Sequence, residues 1–146
     1  MQKIRMRFTD TTAKTPIRGS DLATGYDLTA TGIHKETDIY IMYNTNVQIQ
    51  PENIDVDIQI RPRSSVYKTG MALANSVGSI DCDYTGNLMV VFYKAFSTEE
   101  TRYVIGDRIA QLVCGGFYEM NFVDEEFVGM SGRGDGGFGS TDKQEK

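Results

Sequence analysis

Ile54-Asp55-Val56-Asp57-Ile58-Gln59-Ile60-Arg61 alternates apolar and polar side chains without a break, and every apolar position in it is β-branched. Successive side chains of a strand point to opposite faces, so this stretch buries one face and wets the other. It reads as a half-buried strand. Val47-Gln48-Ile49-Gln50 repeats the pattern on a shorter scale, and Leu88-Met89-Val90-Val91-Phe92-Tyr93 is a continuous apolar run suited to a strand covered on both faces. Upstream, Met1-Gln2-Lys3-Ile4-Arg5-Met6-Arg7-Phe8 alternates basic and apolar residues and reads as a first strand rather than a secretory signal. No window sustains a period of 3.6, so the chain is expected to be all-β to about residue 128, with Gly and Asn punctuation at the spacing of a sandwich or barrel. Tyr84-Thr85-Gly86-Asn87 offers turn chemistry and predicts a β-hairpin over residues 76–93. The one place for a short helix runs from Ser64 to Lys68, after Pro62, where free N–H groups would face an anion.

Past Val128 the character changes. The stretch Gly129-Met130-Ser131-Gly132-Arg133-Gly134-Asp135-Gly136-Gly137-Phe138-Gly139-Ser140-Thr141 holds too much glycine for a strand or helix and reads as a mobile tail. Asp142-Lys143-Gln144-Glu145-Lys146 is charged and expected to be disordered. The expected organisation is one β-rich domain over residues 1–128 and a flexible glycine-rich tail over residues 129–146. With 146 residues, 40% hydrophobic, 10% aromatic and 24% charged, the chain fits a single globular domain and none of the collagen-like, membrane-spanning or wholly disordered classes. No stretch approaches the roughly 18 apolar residues that span a bilayer, so a cytoplasmic, intracellular protein without a membrane partner is expected.

A formal net charge of −5 argues against binding a nucleic acid duplex by neutralising its phosphates, and no nucleic-acid partner is expected. Any anionic ligand must then be held locally. Arg61, Arg63, Arg108 and Arg133 lie in segments rich in Gly, Ser or Pro, the residue types of phosphate sites. Cys82 and Cys114 lack CxxC spacing and are distant in sequence from His34, the single histidine. This speaks against zinc and predicts two reduced core thiols, a disulfide being the alternative. His34 is expected at the surface, since no nucleophile motif accompanies it.

Several constellations could carry chemistry. Gly134-x-Gly136-x-x-Gly139 matches a dinucleotide fingerprint by letter, but it neither follows a strand nor opens a helix inside a βαβ unit. Arg133-Gly134-Asp135 spells an adhesion tripeptide without a secretion signal. A plain linker gains nothing from an embedded Arg and Phe, whereas a clamp on phosphate and base needs both, together with glycines that admit close backbone approach. Arg61-Pro62-Arg63-Ser64-Ser65 sets two guanidinium groups and two hydroxyls around a rigid proline, and alone could be a strand end with a serine turn. Asp81-Cys82-Asp83-Tyr84 puts two carboxylates on one face if extended, and alone could be an exposed acidic edge. Gly106-Asp107-Arg108-Ile109-Ala110-Gln111-Leu112, taken singly, is an ordinary strand.

Taken together and in order, these segments resemble the five motifs of the deoxyuridine triphosphatase family. They read Ala23-Thr24-Gly25-Tyr26-Asp27-Leu28, then Pro62-Arg63-Ser64-Ser65, then Gly78-Ser79-Ile80-Asp81-Cys82-Asp83-Tyr84-Thr85-Gly86-Asn87-Leu88, then Gly106 to Leu112, and finally Arg133 to Thr141. The resemblance covers nearly the whole chain. It implies a distorted jelly-roll subunit in a homotrimer, with active sites at subunit interfaces, each completed by the tail of a neighbour. The implied reaction is hydrolysis of dUTP to dUMP and pyrophosphate, which limits uracil incorporation into DNA and supplies dUMP for dTMP synthesis.

By the same resemblance, Asp81 is the general base that directs water at the α-phosphorus, and partial desolvation in the hairpin would raise its proton affinity. Tyr84 packs on the deoxyribose where a 2′-hydroxyl would collide. Asn75, Gly78, Ser79, Ile80 and Met89 surround the uracil edge. Arg63, Ser64, Ser65 and Gln111 correspond to phosphate contacts, and Asp27 to the carboxylate that holds water ligands of a Mg²⁺ on the triphosphate. The tail would bring Arg133 to the γ-phosphate, Phe138 over the uracil, and Gly139, Ser140 and Thr141 to phosphate oxygens.

Two positions depart from the family pattern: Thr24, where Ala is common, and Asp142, where Gly is usual and whose charge would weaken tail closure. The nearest rival shares the fold. A dCTP deaminase carries a glutamate after the third motif and an arginine after the Arg-Ser-Ser run, but Asn87 to Tyr93 and Val66-Tyr67-Lys68 contain neither. A non-catalytic nucleotide-binding regulator is the rival of another class, and the intact Asp81 argues against it.

Overall fold

The computed structural model describes residues 2–125. Within them the chain forms β1 (Ile4–Phe8), β2 (Ile17–Arg18), β3 (Tyr26–Thr29), β4 (Gly32–Glu36), β5 (Tyr40–Asn44), β6 (Val47–Pro51) and β7 (Val56–Pro62). A short 3-10 helix (Ser64–Thr69) follows, then β8 (Ala72–Leu73), β9 (Gly78–Ile80), β10 (Met89–Tyr93) and β11 (Arg108–Gly116). One sheet runs β2-β3-β11-β7-β9, a second runs β4-β5-β10-β8, and β1 pairs with β6 in a separate ribbon. Every pairing is antiparallel.

One core joins the two larger sheets. Leu28, Ile58, Ile60 and Ala110 come from the first, and Ile41, Tyr43, Val90 and Phe92 from the second. These are alternate positions on their strands, as period-2 burial requires. Tyr43 and Phe92 are fully buried and meet edge-on at 6.2 Å, and removing such a ring from a core costs about 3–5 kcal/mol. Tyr103 closes the cluster at 5.4 Å from Phe92, and its carbonyl accepts the Tyr43 hydroxyl at 2.7 Å.

The all-β reading holds, with corrections of detail. The alternating stretch starts its strand two residues later than its pattern, and Ile54 is exposed. Regular pairing stops at Gly116 rather than near 128. The helix after Pro62 is 3-10 in character and is stopped by Gly70 in the left-handed region at φ 65°. In β10 only Val90 and Phe92 are buried, while Met89 and Val91 are half-buried and Tyr93 is exposed, so the subunit covers one face of that strand rather than both.

The predicted hairpin over 76–93 is absent. β10 pairs with β5 and β8, placing Phe92 opposite Leu73, while β9 leaves for the other sheet and pairs with β7. Turn chemistry at 84–87 says that the chain bends there, not which strand receives it. The bend closes on itself, with the Tyr84 hydroxyl donating to the Asn87 carbonyl at 2.9 Å. Cys82 and Cys114 are both free, but neither is a core thiol: Cys82 is half-buried and Cys114 exposed. His34 is at the surface as expected. The glycine-rich tail over 129–146 lies outside the described residues.

Candidate active site

Where β3, β11 and the end of β7 meet, a carboxylate is buried among cations. Asp27, 3% exposed, sits opposite Gln111 in the register of β3 and β11. Its Oδ1 accepts from Arg63 Nε and from Gln111 Nε2, each at 3.2 Å, and its Oδ2 accepts from Arg108 Nη1 at 3.0 Å. Arg63 also donates to the Arg108 carbonyl at 3.2 Å. One carboxylate faces two guanidinium groups, so the cluster keeps a net positive charge despite the acidic chain. Arg63 and Arg108 are part-exposed and present that charge outward.

Gly25 permits this arrangement. A Cβ there would come within 2.9 Å of the Gln111 Cβ, so only glycine lets the glutamine cross β3 to reach Asp27. Beside the cluster lies a cavity of about 400 Å³ whose wall includes Arg63, Ser65, Lys68, Arg102, Tyr103 and Arg108. Four cationic side chains against one lining carboxylate, Asp107, leave the cavity with a positive excess that suits a polyanion. Ser64 is exposed and Ser65 half-buried at the start of the 3-10 helix, with Arg63 as its extended entry residue.

The second group of expected site residues sits on β9 and the turn after it. Gly78 pairs with Ile60, Ser79 with Gln59 and Ile80 with Ile58. The exposed Asn75 side chain lies over Gly78, where a Cβ would meet its amide nitrogen at 2.7 Å. The Tyr84 ring lies against Gly86 in the same way, its hydroxyl 2.5 Å from where a Cβ would be. Tyr84 is thereby held while remaining 40% exposed, an aromatic face ready for a flat partner. Met89, at the head of β10, is half-buried.

Two expectations change here. Asp81 and Asp83 do not share a strand face, because the chain turns at residues 82 and 83, with the Tyr84 N–H donating to the Asp81 carbonyl at 3.0 Å. Asp81 is also exposed, so the partial desolvation expected of a hairpin does not arise within its own subunit.

Asp81 and the cation cluster are far apart along one strand. Asp81 follows the residue paired with Ile58 and so lies level with Asp57, six residues from Arg63. At about 3.3 Å per residue this is roughly 20 Å. The fold therefore brings Asp27, Arg63, Ser64, Ser65 and Gln111 together and sets Asp81, with the turn that carries Tyr84, toward the other end of β7; Gly78, opposite Ile60 with Asn75 beside it, and Ser79 and Ile80 lie along β7 between the two. Arg133, Phe138, Gly139, Ser140 and Thr141 lie outside the described residues. Sequence reasoning missed Arg108 as a partner of Asp27 and Tyr103 as a cavity residue. The first stands in a quoted motif and could have been found there; the second carries no local signal.

Among the described residues no three metal-ligating side chains converge. Asp27 is one carboxylate already hydrogen-bonded to two guanidinium groups, a donor set that does not make a resident metal site by itself. Its Oδ2 accepts only from Arg108, and this leaves capacity for one water of an ion that arrives on a polyphosphate.

A family model described as dUTPase matches residues 11–142. A deoxyuridine 5'-triphosphate nucleotidohydrolase of Rickettsia bellii is 36% identical over 137 residues, covering 88% of this chain and 87% of that protein. One from Finegoldia magna is 41% identical over 86 residues, covering 58% of this chain and 59% of that protein. Among solved structures, a Staphylococcus bacteriophage 80alpha dUTPase with dUPNHPP has a TM-score of 0.76 at 24% identity, over 94% of this chain and 97% of that one, a likeness of fold. A match running through nearly the whole chain, and a relative aligned along most of its own length, leave one assignment: the chain belongs to the dUTPase family.

Proposed function

We propose that this chain hydrolyses dUTP to dUMP and pyrophosphate, and that it does so as a homotrimer with each active site built from more than one copy. The observation that carries the reading is the roughly 20 Å between Asp81 and the Arg63–Asp27–Gln111 cluster on a single subunit. A general base must come within about 3 Å of the water it deprotonates, and the phosphate contacts must hold the same phosphorus. Both conditions are met only if Asp81 of one copy faces the cation cluster of another. The apolar segment after β11 supports such an assembly: Phe117, Tyr118, Met120, Phe122 and Val123 are all more than half exposed in the isolated subunit, an unusual density for a surface left in water.

In this reading Arg63, Ser64, Ser65 and Gln111 hold the triphosphate. Arg108 and Asp27 lock the Arg63 guanidinium in place, which preorganises the positive charge for a transition state that spreads negative charge over phosphoryl oxygens. Mg²⁺ would come as part of the substrate, on the triphosphate, with Asp27 holding its water, and would supply neutralisation of phosphate charge. Asp81 takes a proton from a water aligned with the α-phosphorus, and pyrophosphate leaves on the opposite side. Asp81 loses bulk water when a second copy closes over it.

Base recognition falls to the β9 turn. The backbone of Ser79 and Ile80, with Asn75, Gly78 and Met89, forms the template for uracil, and Tyr84 stacks on the deoxyribose and leaves no room for a 2′-hydroxyl. Arg133, Phe138, Gly139, Ser140 and Thr141 close over the nucleotide.

The test is pyrophosphate release from dUTP, dCTP, dTTP and UTP, together with the mass of the assembly in solution. Release confined to dUTP by a species of three chains is expected. Equal rates on all four nucleotides, or a fully active monomer, would refute it. Asp81→Asn is expected to keep nucleotide binding and lower turnover by a factor of about 10²–10⁴, as loss of a general base does.

A further inference from the structure

Tyr103 is held by its ring and left unsatisfied at its tip. The ring packs against Tyr43 at 6.5 Å and Phe92 at 5.4 Å, and its own carbonyl is taken by the Tyr43 hydroxyl. The residue is 7% exposed, and its hydroxyl is the one buried side-chain polar atom without a hydrogen-bond partner among the described residues. A buried phenol left in this state is costly, and native structures keep few of them.

The tip is also well placed. Tyr103 lines the cationic cavity together with Arg63 and Ser65. Burial pushes its phenol up from the ordinary tyrosine range, the Arg63 charge and the neighbouring Ser65 hydroxyl, close enough to begin a hydrogen bond, pull it down, and the Asp107 carboxylate pushes it further up. Because the phenol oxygen is sealed from solvent, a ligand entering the cavity cannot touch it directly. Ser65, half-buried on the same wall, is the group that can reach both the phenol and the cavity.

We propose that Tyr103 is a positioning residue of the phosphate site: its hydroxyl donates to Ser65 Oγ once a polyphosphate is bound, so that the Ser65 hydroxyl proton is aimed at a phosphate oxygen. The inference rests on the functional reading above and deepens it at one subsite. A serine hydroxyl is one donor with two acceptor lone pairs, and its proton rotates freely when nothing fixes the oxygen. Occupying one lone pair with a phenol fixes the rotor, and a chain of the form O–H···O–H···O–P polarises along its length. The phenol gains the partner it lacks and the phosphate gains an oriented donor. The positions 65 and 103 are joined only by the fold, through the aromatic cluster that holds the ring and the turn that begins at Arg63.

The test measures binding of inorganic triphosphate by calorimetry to four proteins: the unaltered chain, Tyr103→Phe, Ser65→Ala and the double variant. Tyr103→Phe keeps the ring and its packing, so its melting temperature is expected to hold or rise. Its affinity is expected to fall roughly three- to tenfold, the worth of one hydrogen bond. Ser65→Ala is expected to lose at least as much, and adding Tyr103→Phe to it should cost nothing further. Unchanged affinity in Tyr103→Phe would overturn the proposal, as would a loss that persists undiminished beside Ser65→Ala, or an unaltered chain that fails to bind triphosphate at all. Pyrophosphate release from dUTP by the unaltered chain is assayed in parallel. Coupled binding without hydrolysis would sink the hydrolase reading and leave this one standing.

Discussion

Mixing two inactive variants should restore activity. Asp81→Asn removes the base from one end of β7, and Arg63→Ala removes a phosphate contact from the other, roughly 20 Å away on the same chain. If the chain assembles as proposed, each variant alone would form rings in which every site lacks one essential group. If a site takes Asp81 from one chain and Arg63 from its neighbour, a ring assembled from both variants contains some sites with both groups intact. A site is whole when the chain supplying the phosphate contacts carries only Asp81→Asn and the chain supplying the base carries only Arg63→Ala. In an equimolar random mixture that occurs in roughly a quarter of sites on average, because each mixed ring of three holds one whole site and a ring of a single variant holds none. The assay is pyrophosphate release after the two variants are unfolded together and refolded, compared with the same variants refolded apart and then combined. About 25% of unaltered activity is expected in the first sample, and close to none in the second while subunits do not exchange. Activity no higher in the co-refolded sample than in the separate ones would refute the shared site, because a site contained within one chain cannot be repaired by a neighbour.

Other consequences follow from the same geometry. Asp27→Ala leaves Arg63 and Arg108 without their carboxylate; since both guanidinium groups are part-exposed, the cost is put at about 2 kcal/mol rather than the full value for a buried pair, lowering Tm by roughly 4–8 °C in a scan at fixed protein concentration. Unchanged thermal stability would show that the cluster does not contribute to the fold. Gly25→Ala is expected to displace Gln111, raise KM for dUTP and lower Tm, because the atom it meets is the Gln111 Cβ, which moves only with the backbone; kinetics indistinguishable from the unaltered chain would count against a role for Gln111. Burial pushes the Tyr43 phenol up to about 12, above its unfolded value near 10. Its contribution to stability is therefore complete below pH 10 and is lost as pH rises toward 12. Urea midpoints should fall across that window, and Tyr43→Phe should flatten the decline. Deleting residues 131–146 is expected to leave the trimer folded and remove most of the activity; loss of the trimer would contradict the assignment of that segment to closure alone.

How much of this was legible in the sequence depends on how local each feature is. The strand β7 announced itself because its alternation is a property of consecutive residues, and the turn after Pro62 did so because proline and two serines act within one bend. The partner of β9 was not legible. Nothing in Gly78-Ser79-Ile80 distinguishes pairing with β7 from pairing with β10, and the fold pairs it with β7 while β8 takes Phe92 and Tyr93 of β10. The contact between Asp27 and Arg108 spans 81 positions, so pattern reading could put both in motifs without joining them. Cys114 was misread for a related reason: it stands in an apolar strand whose outer reach the subunit leaves uncovered. The resemblance supplied the roles of the motif residues, and the fold supplied their distances.

If sites are shared between copies as proposed, the seven residues of β7 act as a yoke between two half-enzymes. A chain that has lost both its base and its arginine spoils the centre it shares with the neighbour on either side, and in a ring of three only one centre survives. A chain with a single defect spoils only one. Inheritance of a damaged copy alongside a sound one would then be graded by which halves are broken, and two lesions on one polypeptide would be more harmful in mixed rings than either lesion alone.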